Sequence, residues 1–249
     1  MTEDRPGAVW GLVAAQAAAA GRRVSVADVC AVAVRSAGVS GAWVTASSDR
    51  KPDFLICVTD PVGEQVAELQ LTLGEGPCCD VLASAAPVLA ADLGDEWSAR
   101  RWPGFAAQAC RLGAGAVFAF PLTIGAIRVG VMGMYRGFPG PLPEERLGDW
   151  LMLADVATVL LLDGLGHGDG GTAAAPVLDG QSPDLALHRA EIDQATGMLT
   201  VQLGVPVAEA FARLRAYAYA QDRRLADVAR DIVARHLRLR ADPGRDGGP

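Results

Sequence analysis

The apolar positions of the chain change period along its length, and each change marks an element. Near the C-terminus they fall at Leu225, Val228, Ala229, Ile232 and Val233, spaced i, i+3, i+4, i+7 and i+8. That spacing is the single stripe of an amphipathic helix. Upstream, Ala210, Phe211, Leu214 and Ala218 share one face of a second helix, with Arg213 and Arg215 pointing elsewhere. A third pattern sets Leu185, Ile192 and Leu199 seven apart, with Ala195 and Leu203 near the same seam. Gly204-Val205-Pro206 divides this helix from the second, because glycine suits a helix end and proline the first turn of the next helix. Gln221-Asp222-Arg223-Arg224 divides the second helix from the last. The region therefore reads as an all-α three-helix bundle with arginines on its outside.

The N-terminal part alternates differently. Val9–Ala20 reads as a helix ended by Gly21-Arg22-Arg23. Ser25 caps a second helix with Asp28 as its capping-box partner, and Val26, Val29, Cys30, Ala33 and Val34 form its stripe. The period then shortens: Ala42–Ala46 and Phe54–Val58 read as strands split by a polar turn, and Asp60-Pro61 breaks the second. Gln65–Leu73 fits either a short helix or a strand. A Gly/Pro turn from Leu73 to Asp80 opens a short helix to Ala85, followed by a strand at Pro87–Ala91 and a loop at Trp97–Pro103. Phe105–Arg111 is a short helix; Gly115–Ile124 and Arg128–Tyr135 form a hairpin around Gly125. Glu144–Leu162 is a long helix with apolar residues around much of its surface. The predicted class is α+β: an antiparallel sheet flanked by helices, then the helical bundle.

Two resemblances rest on these residues. Arg189, Ile192-Asp193-Gln194-Ala195, Gly197-Met198-Leu199, Glu209-Ala210-Phe211, Leu214-Arg215, Ala218, Arg223-Arg224-Leu225, Asp227-Val228-Ala229 and Ile232-Val233 resemble an ANTAR domain. The resemblance implies a bacterial three-helix RNA-binding module that acts in transcription antitermination. Two positions depart from that pattern: Thr196 stands where the family usually has lysine, and Asp222 where it usually has asparagine. Each makes the local surface less positive. Gly74-Glu75-Gly76-Pro77-Cys78, Asp92-Leu93, Arg101-Trp102-Pro103-Gly104-Phe105, Phe118–Leu122 and Gly133-Met134-Tyr135-Arg136 resemble a GAF domain, a small-molecule sensor fold. The organisation these imply is a GAF-like sensor domain with its N-terminal helix over residues 1–163, a Gly-rich linker over 164–181, an ANTAR-like domain over 182–240 and a disordered tail over 241–249.

Composition narrows this picture further. The net charge of −7 over 249 residues excludes a chain that is basic throughout. The charge is uneven, however: Met1 to Asp163 holds twelve basic and eighteen acidic residues, a net of −6, while Pro206 to Arg240 holds eight and four, a net of +4. An acidic bulk with a basic end fits a sensor joined to a nucleic-acid reader. Five cysteines, irregularly spaced and without a secretion signal, fit reduced thiols in a cytoplasm. No run of eighteen strongly apolar residues suggests a membrane span.

The candidate RNA contacts are Arg213, Arg215, Arg223, Arg224 and Tyr217. Guanidinium groups make bidentate phosphate contacts and stack on unpaired bases, as can a tyrosine ring. Arg230, Arg235 and Arg238 read instead as partners for Asp227 and Asp231. A homodimer is expected through Leu185, Ile192 and Leu199, since a heptad seam needs a partner. Trp102, Phe118, Phe120 and Cys78 are candidates for a sensor pocket, its small-molecule ligand unnamed. The expected function is an RNA-binding antitermination regulator that holds a hairpin in a nascent transcript, with no catalytic residue, metal or cofactor. Two alternatives stand beside it: a thiol-based redox sensor or enzyme at Cys78-Cys79, where a helix start can depress a thiol pKa, and a DNA-binding helical regulator.

Overall fold

The sheet at the centre of the N-terminal unit grows from the period-two segments. In the computed structural model, which describes residues 5–48, 51–166 and 183–239, five strands pair in the order β2-β1-β5-β4-β3. They are β1 (Gly41–Ser48), β2 (Lys51–Val58), β3 (Val88–Ala90), β4 (Ala116–Ile124) and β5 (Ile127–Arg136), and every neighbouring pair is antiparallel. The β4–β5 hairpin turns at Gly125, whose φ of 57° is the left-handed value a two-residue turn needs there.

Alternation then sorts the core into two clusters. Ala116, Phe118, Phe120 and Leu122 of β4 face the cluster built with α1 (Arg5–Ala19), α2 (Val26–Ala37) and α7 (Leu147–Gly166). Val117 and Ala119 face the opposite cluster, with α3 (Pro61–Leu73), α4 (Pro77–Ser84) and α6 (Phe105–Arg111). On that second side Trp43 is fully buried, and its indole lies so close over Gly133 of β5 that a Cβ there would overlap the ring. On the first side Phe120 and Trp150 stack with centroids 6.1 Å apart.

Several helix starts follow from local chemistry. Asp28 is fully buried yet satisfied: the Ser25 backbone N–H donates to it at 2.9 Å and Arg22 grips it with two bonds of 2.7 Å. The Asp60-Pro61 pair is the start of α3, with Asp60 accepting from the Val62 and Gly63 amides at 3.0 Å. The Tyr135 hydroxyl also donates to Asp60, at 2.8 Å.

One open reading is settled and two expectations need correction. The ambiguous segment is helical, forming the C-terminal part of α3. Trp97–Pro103 is mostly not a loop: Trp97–Arg101 is all but the first residue of α5 (Glu96–Arg101), which starts where Asp95 accepts from the Ser98 amide at 2.6 Å. The long helix begins as a 3₁₀ turn at Glu144–Arg146 and runs on to Gly166, past the expected linker boundary at residue 164. The rest of the expected linker up to residue 181 and the expected tail over 241–249 lie outside the described residues. Among the described residues no helix is long and apolar enough to cross a membrane.

The C-terminal unit, Ala186–Pro249, holds most of α8 (Pro183–Leu203) with α9 (Val207–Ala220) and α10 (Leu225–Val233). Gly204, at φ 64°, ends α8 in the left-handed conformation. Ala195, Leu199, Ala210, Leu214, Ala218, Leu225, Val228, Ala229 and Ile232 are buried, reproducing the stripes read from the sequence.

Candidate nucleic-acid interface

The turn between α9 and α10 carries Arg223 and Arg224 and brings Tyr217 to Arg223, while Arg213 and Arg215 lie further back along α9. Asp222 occupies this turn at φ 50°, a left-handed value that Asp and Asn tolerate better than most residues. The residue type there answers a backbone demand that either side chain meets. Arg224 is the N-cap residue of α10, and its carbonyl accepts from the Val228 amide at 3.1 Å. Arg223 reaches across the first turns of α10 to Asp231, with Nη2 2.7 Å from Oδ2. That hydrogen bond raises the Arg223 pKa further above its ordinary value, so the group is a permanent cation. Tyr217 lies within electrostatic reach of the same guanidinium.

Along α9, Arg213 and Tyr217 are four residues apart and share a flank. Arg213 is ion-paired to Glu209 at 2.8 Å. Arg215 is two residues from Arg213, about 200° around the helix, so it lies on the opposite flank, its guanidinium over the Phe211 ring at 5.7 Å. The structure therefore brings Tyr217 to Arg223, leaves Arg213 one turn back on the same flank of α9, and sets Arg215 apart. Arg230 pairs with Asp227 at 3.0 Å, as expected, and with Glu191 of α8 at 3.1 Å; Asp231, expected as a partner of the later arginines, is taken by Arg223.

Thr196 is not a surface residue. It is 6% exposed, and its hydroxyl donates to the Ile192 carbonyl at 2.7 Å, so its effect on surface charge is small. The heptad seam also needs revision. Leu199 is fully buried within the single chain, Leu185 nearly so, and Ile192 partly. Heptad spacing marks an apolar stripe but does not say whether its partner is the same chain or another. Among the exposed positions of α8, Leu187, Ala190, Gln194, Gly197 and Val201 form one stripe, spaced alternately three and four apart.

The expected sensor pocket is divided. Phe118 and Phe120 belong to the cluster under α1, α2 and α7, whereas Trp102 and Cys78 belong to the cluster under α3, α4 and α6. The sheet stands between them, so these four side chains do not line one cavity. Cys78 is buried, its amide donating to Gln70 Oε1 at 2.8 Å. Burial, followed by the neighbouring Cys79, pushes its thiol pKa far up. The depression expected from a helix start is overridden, because removing a thiolate from water costs more than one helix end returns. A reactive thiolate at Cys78 is therefore not what this environment makes.

Sequence reasoning missed what the two GAF-like motifs do for each other. Glu75 Oε1 accepts from the backbone amides of Gly104 and Phe105, both at 2.6 Å. Gly104 sits at the start of α6 and has no side chain to cap it, so Glu75 supplies the cap from 29 residues away. Asp80 Oδ2 accepts from Arg101 Nε at 2.8 Å and from Trp102 Nε1 at 3.1 Å. The only sequence signal was the pair of carboxylates, Glu75 and Asp80, in the Gly/Pro turn from Leu73 to Asp80. Of the histidines, His236 is exposed beyond α10, His188 is partly buried in α8, and His167 lies outside the described residues. Among the described residues no group of three or more His, Cys, Asp or Glu is placed to hold a metal ion.

A helix-flanked five-stranded antiparallel domain followed by a three-helix arginine-bearing module defines a sensor-and-reader type of regulator. The GAF domain family matches residues 23–162 and the ANTAR domain family matches residues 186–233, so the chain belongs to the GAF family and is a GAF and ANTAR domain-containing protein. The ANTAR domain places it among RNA-binding antitermination regulators, and the GAF domain is a sensor domain; both are regulatory. Among solved structures the chain is similar to the GAF domain of a phosphoenolpyruvate-protein phosphotransferase from Coxiella burnetii, at 14% identity and TM-score 0.49, over 65% of this chain and 96% of that one. The corresponding GAF domain from Acinetobacter is 16% identical with TM-score 0.48, over 69% and 100%. A free methionine-R-sulfoxide reductase from Neisseria meningitidis is 13% identical with TM-score 0.39, over 64% and 91%. No curated protein matches the chain.

Proposed function

We propose that this chain holds a hairpin in a nascent transcript through the α9–α10 corner of its ANTAR domain, so that a terminator does not form and RNA polymerase continues. The observation that carries this reading is the meeting of Tyr217 and Arg223 at that corner, within the residues the ANTAR family matches, with Arg213 one turn back along α9 on the Tyr217 flank. Arg223 is exposed and permanently charged, suited to a phosphate, and Tyr217 beside it offers a face on which an unpaired base stacks. Asp231 holds Arg223 in place until a phosphate replaces it. Arg215 and Arg224 contact the RNA from the edges of the same module.

The GAF domain controls the reader through a small-molecule or dimerisation signal. Support for a homodimer comes from apolar residues left outside: Leu151, Val159 and Leu162 on α7, Trp10 and Leu12 on α1, and the stripe from Leu187 to Val201 on α8. In that stripe the spacing suits a partner helix better than the buried Leu185, Ile192 and Leu199 do. Val159→Glu and Val201→Glu are expected to shift the sedimentation coefficient of the full chain to that of a monomer.

The central test is binding of the full chain to hairpin RNA at stated salt, with duplex DNA as competitor. Hairpin RNA is expected to bind and duplex DNA to compete poorly, and Arg223→Ala with Arg213→Ala to weaken binding. Equal competition by duplex DNA makes the protein a DNA reader instead. Unchanged RNA affinity in the double variant removes the corner from the interface.

A further inference from the structure

Cys30 and Cys57 are 27 positions apart in sequence, one on α2 and the other on β2, yet their Sγ atoms are 3.3 Å apart. Both are free thiols and both are buried. Local structure accounts for the meeting. Cys30 belongs to the inward stripe of α2 with Val26, Val29 and Ala33. On the strand, Val44 pairs with Cys57 but Thr45 pairs with Leu55, so Ile56 is the extra residue of a β-bulge. The bulge resets the alternation and sends Ile56 and Cys57 into the same cluster, beneath α2. β2 is also an edge strand, paired on one side to β1.

We propose that Cys30 and Cys57 form a reversible disulfide in response to peroxide, stapling α2 to the edge strand of the GAF domain. The sulfurs need to approach by about 1.3 Å to reach a disulfide length of about 2.05 Å, within the reach of side-chain rotation and a small shift of the edge strand. In the first step Cys57 Sγ attacks hydrogen peroxide; the O–O bond breaks, a sulfenic acid forms and water leaves. In the second, Cys30 Sγ attacks the Cys57 sulfur; the S–S bond forms, the S–O bond breaks, and the departing hydroxyl leaves as water with the Cys30 proton. The two sulfurs lose two electrons in all, and the two peroxide oxygens accept them. Cys57 takes the first role because it lies on the edge strand, whereas Cys30 lies on the inward stripe of α2; the contact with Cys57, and then burial, raise the Cys30 pKa well above its ordinary value. A small dithiol reverses the reaction by exchange.

The staple bears on the part of the domain that carries the exit helix. α2 packs against both α1 and α7, and α7 is the last helix of the GAF domain. Fixing α2 to β2 restrains this helical layer on the sheet.

The experiment treats the reduced full chain, freed of reductant, with graded hydrogen peroxide, then removes the peroxide, denatures and alkylates. Free thiols are expected to fall from five to three per chain, peptide mapping to find Cys30 joined to Cys57, and a dithiol to restore all five. The Cys78→Ser/Cys79→Ser/Cys110→Ser variant, which leaves the pair intact, is expected to lose both of its thiols in the same way. The proposal is overturned if Cys30 and Cys57 remain alkylatable at peroxide levels that oxidise the exposed Cys110, or if the linked peptides join other cysteines. The mapping uses the unsubstituted chain, so its result stands whether or not a cysteine variant folds.

Discussion

Glu75 offers a sharp test of how the GAF domain is held together. Its carboxylate takes two backbone amides at the start of α6, each at 2.6 Å. Hydrogen bonds to a charged group contribute about 1.5–3 kcal/mol each. Glu75 is partly exposed, which favours the low end, so Glu75→Ala is expected to cost about 3 kcal/mol for the two bonds together. Glu75→Gln keeps an acceptor in place but loses the charge. Charge-assisted bonds are about twice as strong as neutral ones, so the Gln variant is expected to lose about half as much. The chain provides its own probe: the five tryptophans, at positions 10, 43, 97, 102 and 150, all precede the ANTAR domain. Tryptophan fluorescence during urea or thermal unfolding therefore follows the N-terminal unit alone. For a domain of this size, a loss of about 3 kcal/mol lowers Tm by about 6–12 °C. If Glu75→Ala stays within about 0.5 kcal/mol of the unsubstituted protein, the usual scatter of surface changes, Glu75 is not the cap of α6. An Ala variant no worse than the Gln variant would show that the charge and the acceptor contribute nothing separable.

Other outcomes follow from the same geometry. Arg223→Ala is expected to reduce the slope of log affinity against log salt by about 0.7–0.9, the share of one phosphate contact, as measured by titrating hairpin RNA at several salt concentrations; an unchanged slope removes Arg223 from the phosphate path. Asp231→Asn frees Arg223 from its partner and is expected to tighten RNA binding, so weaker binding by this variant contradicts a phosphate role for Arg223. Gly133→Ala drives a methyl group into the Trp43 indole and is expected to cost at least about 3 kcal/mol, the top of the usual overpacking range, read again by tryptophan fluorescence. Alkali is expected to destabilise the GAF domain. Cys30 and Cys78 have pKa values raised in the fold above the ordinary 9.0, so above that pH the unfolded chain loses thiol protons that the folded one keeps. Stability is then highest below about pH 9 and falls above it, by at most about 1.4 kcal/mol per pH unit for each thiol. Cys78→Ala should flatten that fall, and identical urea midpoints at pH 8 and pH 10 would contradict the raised values.

Much of the fold was legible because local chemistry and period agreed. The Ser25–Asp28 cap, the Asp60-Pro61 start of α3 and the hairpin at Gly125 each need only neighbouring residues. α5 was read as a loop because six residues are too few to show a period, although Asp95 marked its start. The candidate site was less legible, since it depends on contacts between distant segments. Glu75 and Gly104 are 29 residues apart, and nothing local in either says that one caps the other. The sensor pocket was misdrawn by treating aromatic residues as one group. Applying the strand period to Phe118 and Phe120 would already have put them opposite Val117 and Ala119. The Cys30–Cys57 meeting was hidden for a further reason: it depends on a bulge, and a single inserted residue reverses which face a strand side chain takes.

The division of the GAF domain by its sheet has a consequence for signalling. Cys78, Trp102 and Trp43 lie on one side, while the exit helix α7 lies on the other, against Phe118, Phe120 and Leu122. An event among the first group does not reach α7 by side chains pressing on one another across a shared core. It has to be written into the strands themselves, as a change of twist, stagger or spacing in β1, β4 and β5. The sheet then acts less as a wall of a cavity than as a membrane in a drum: what strikes one side is heard on the other through the deformation of the layer between.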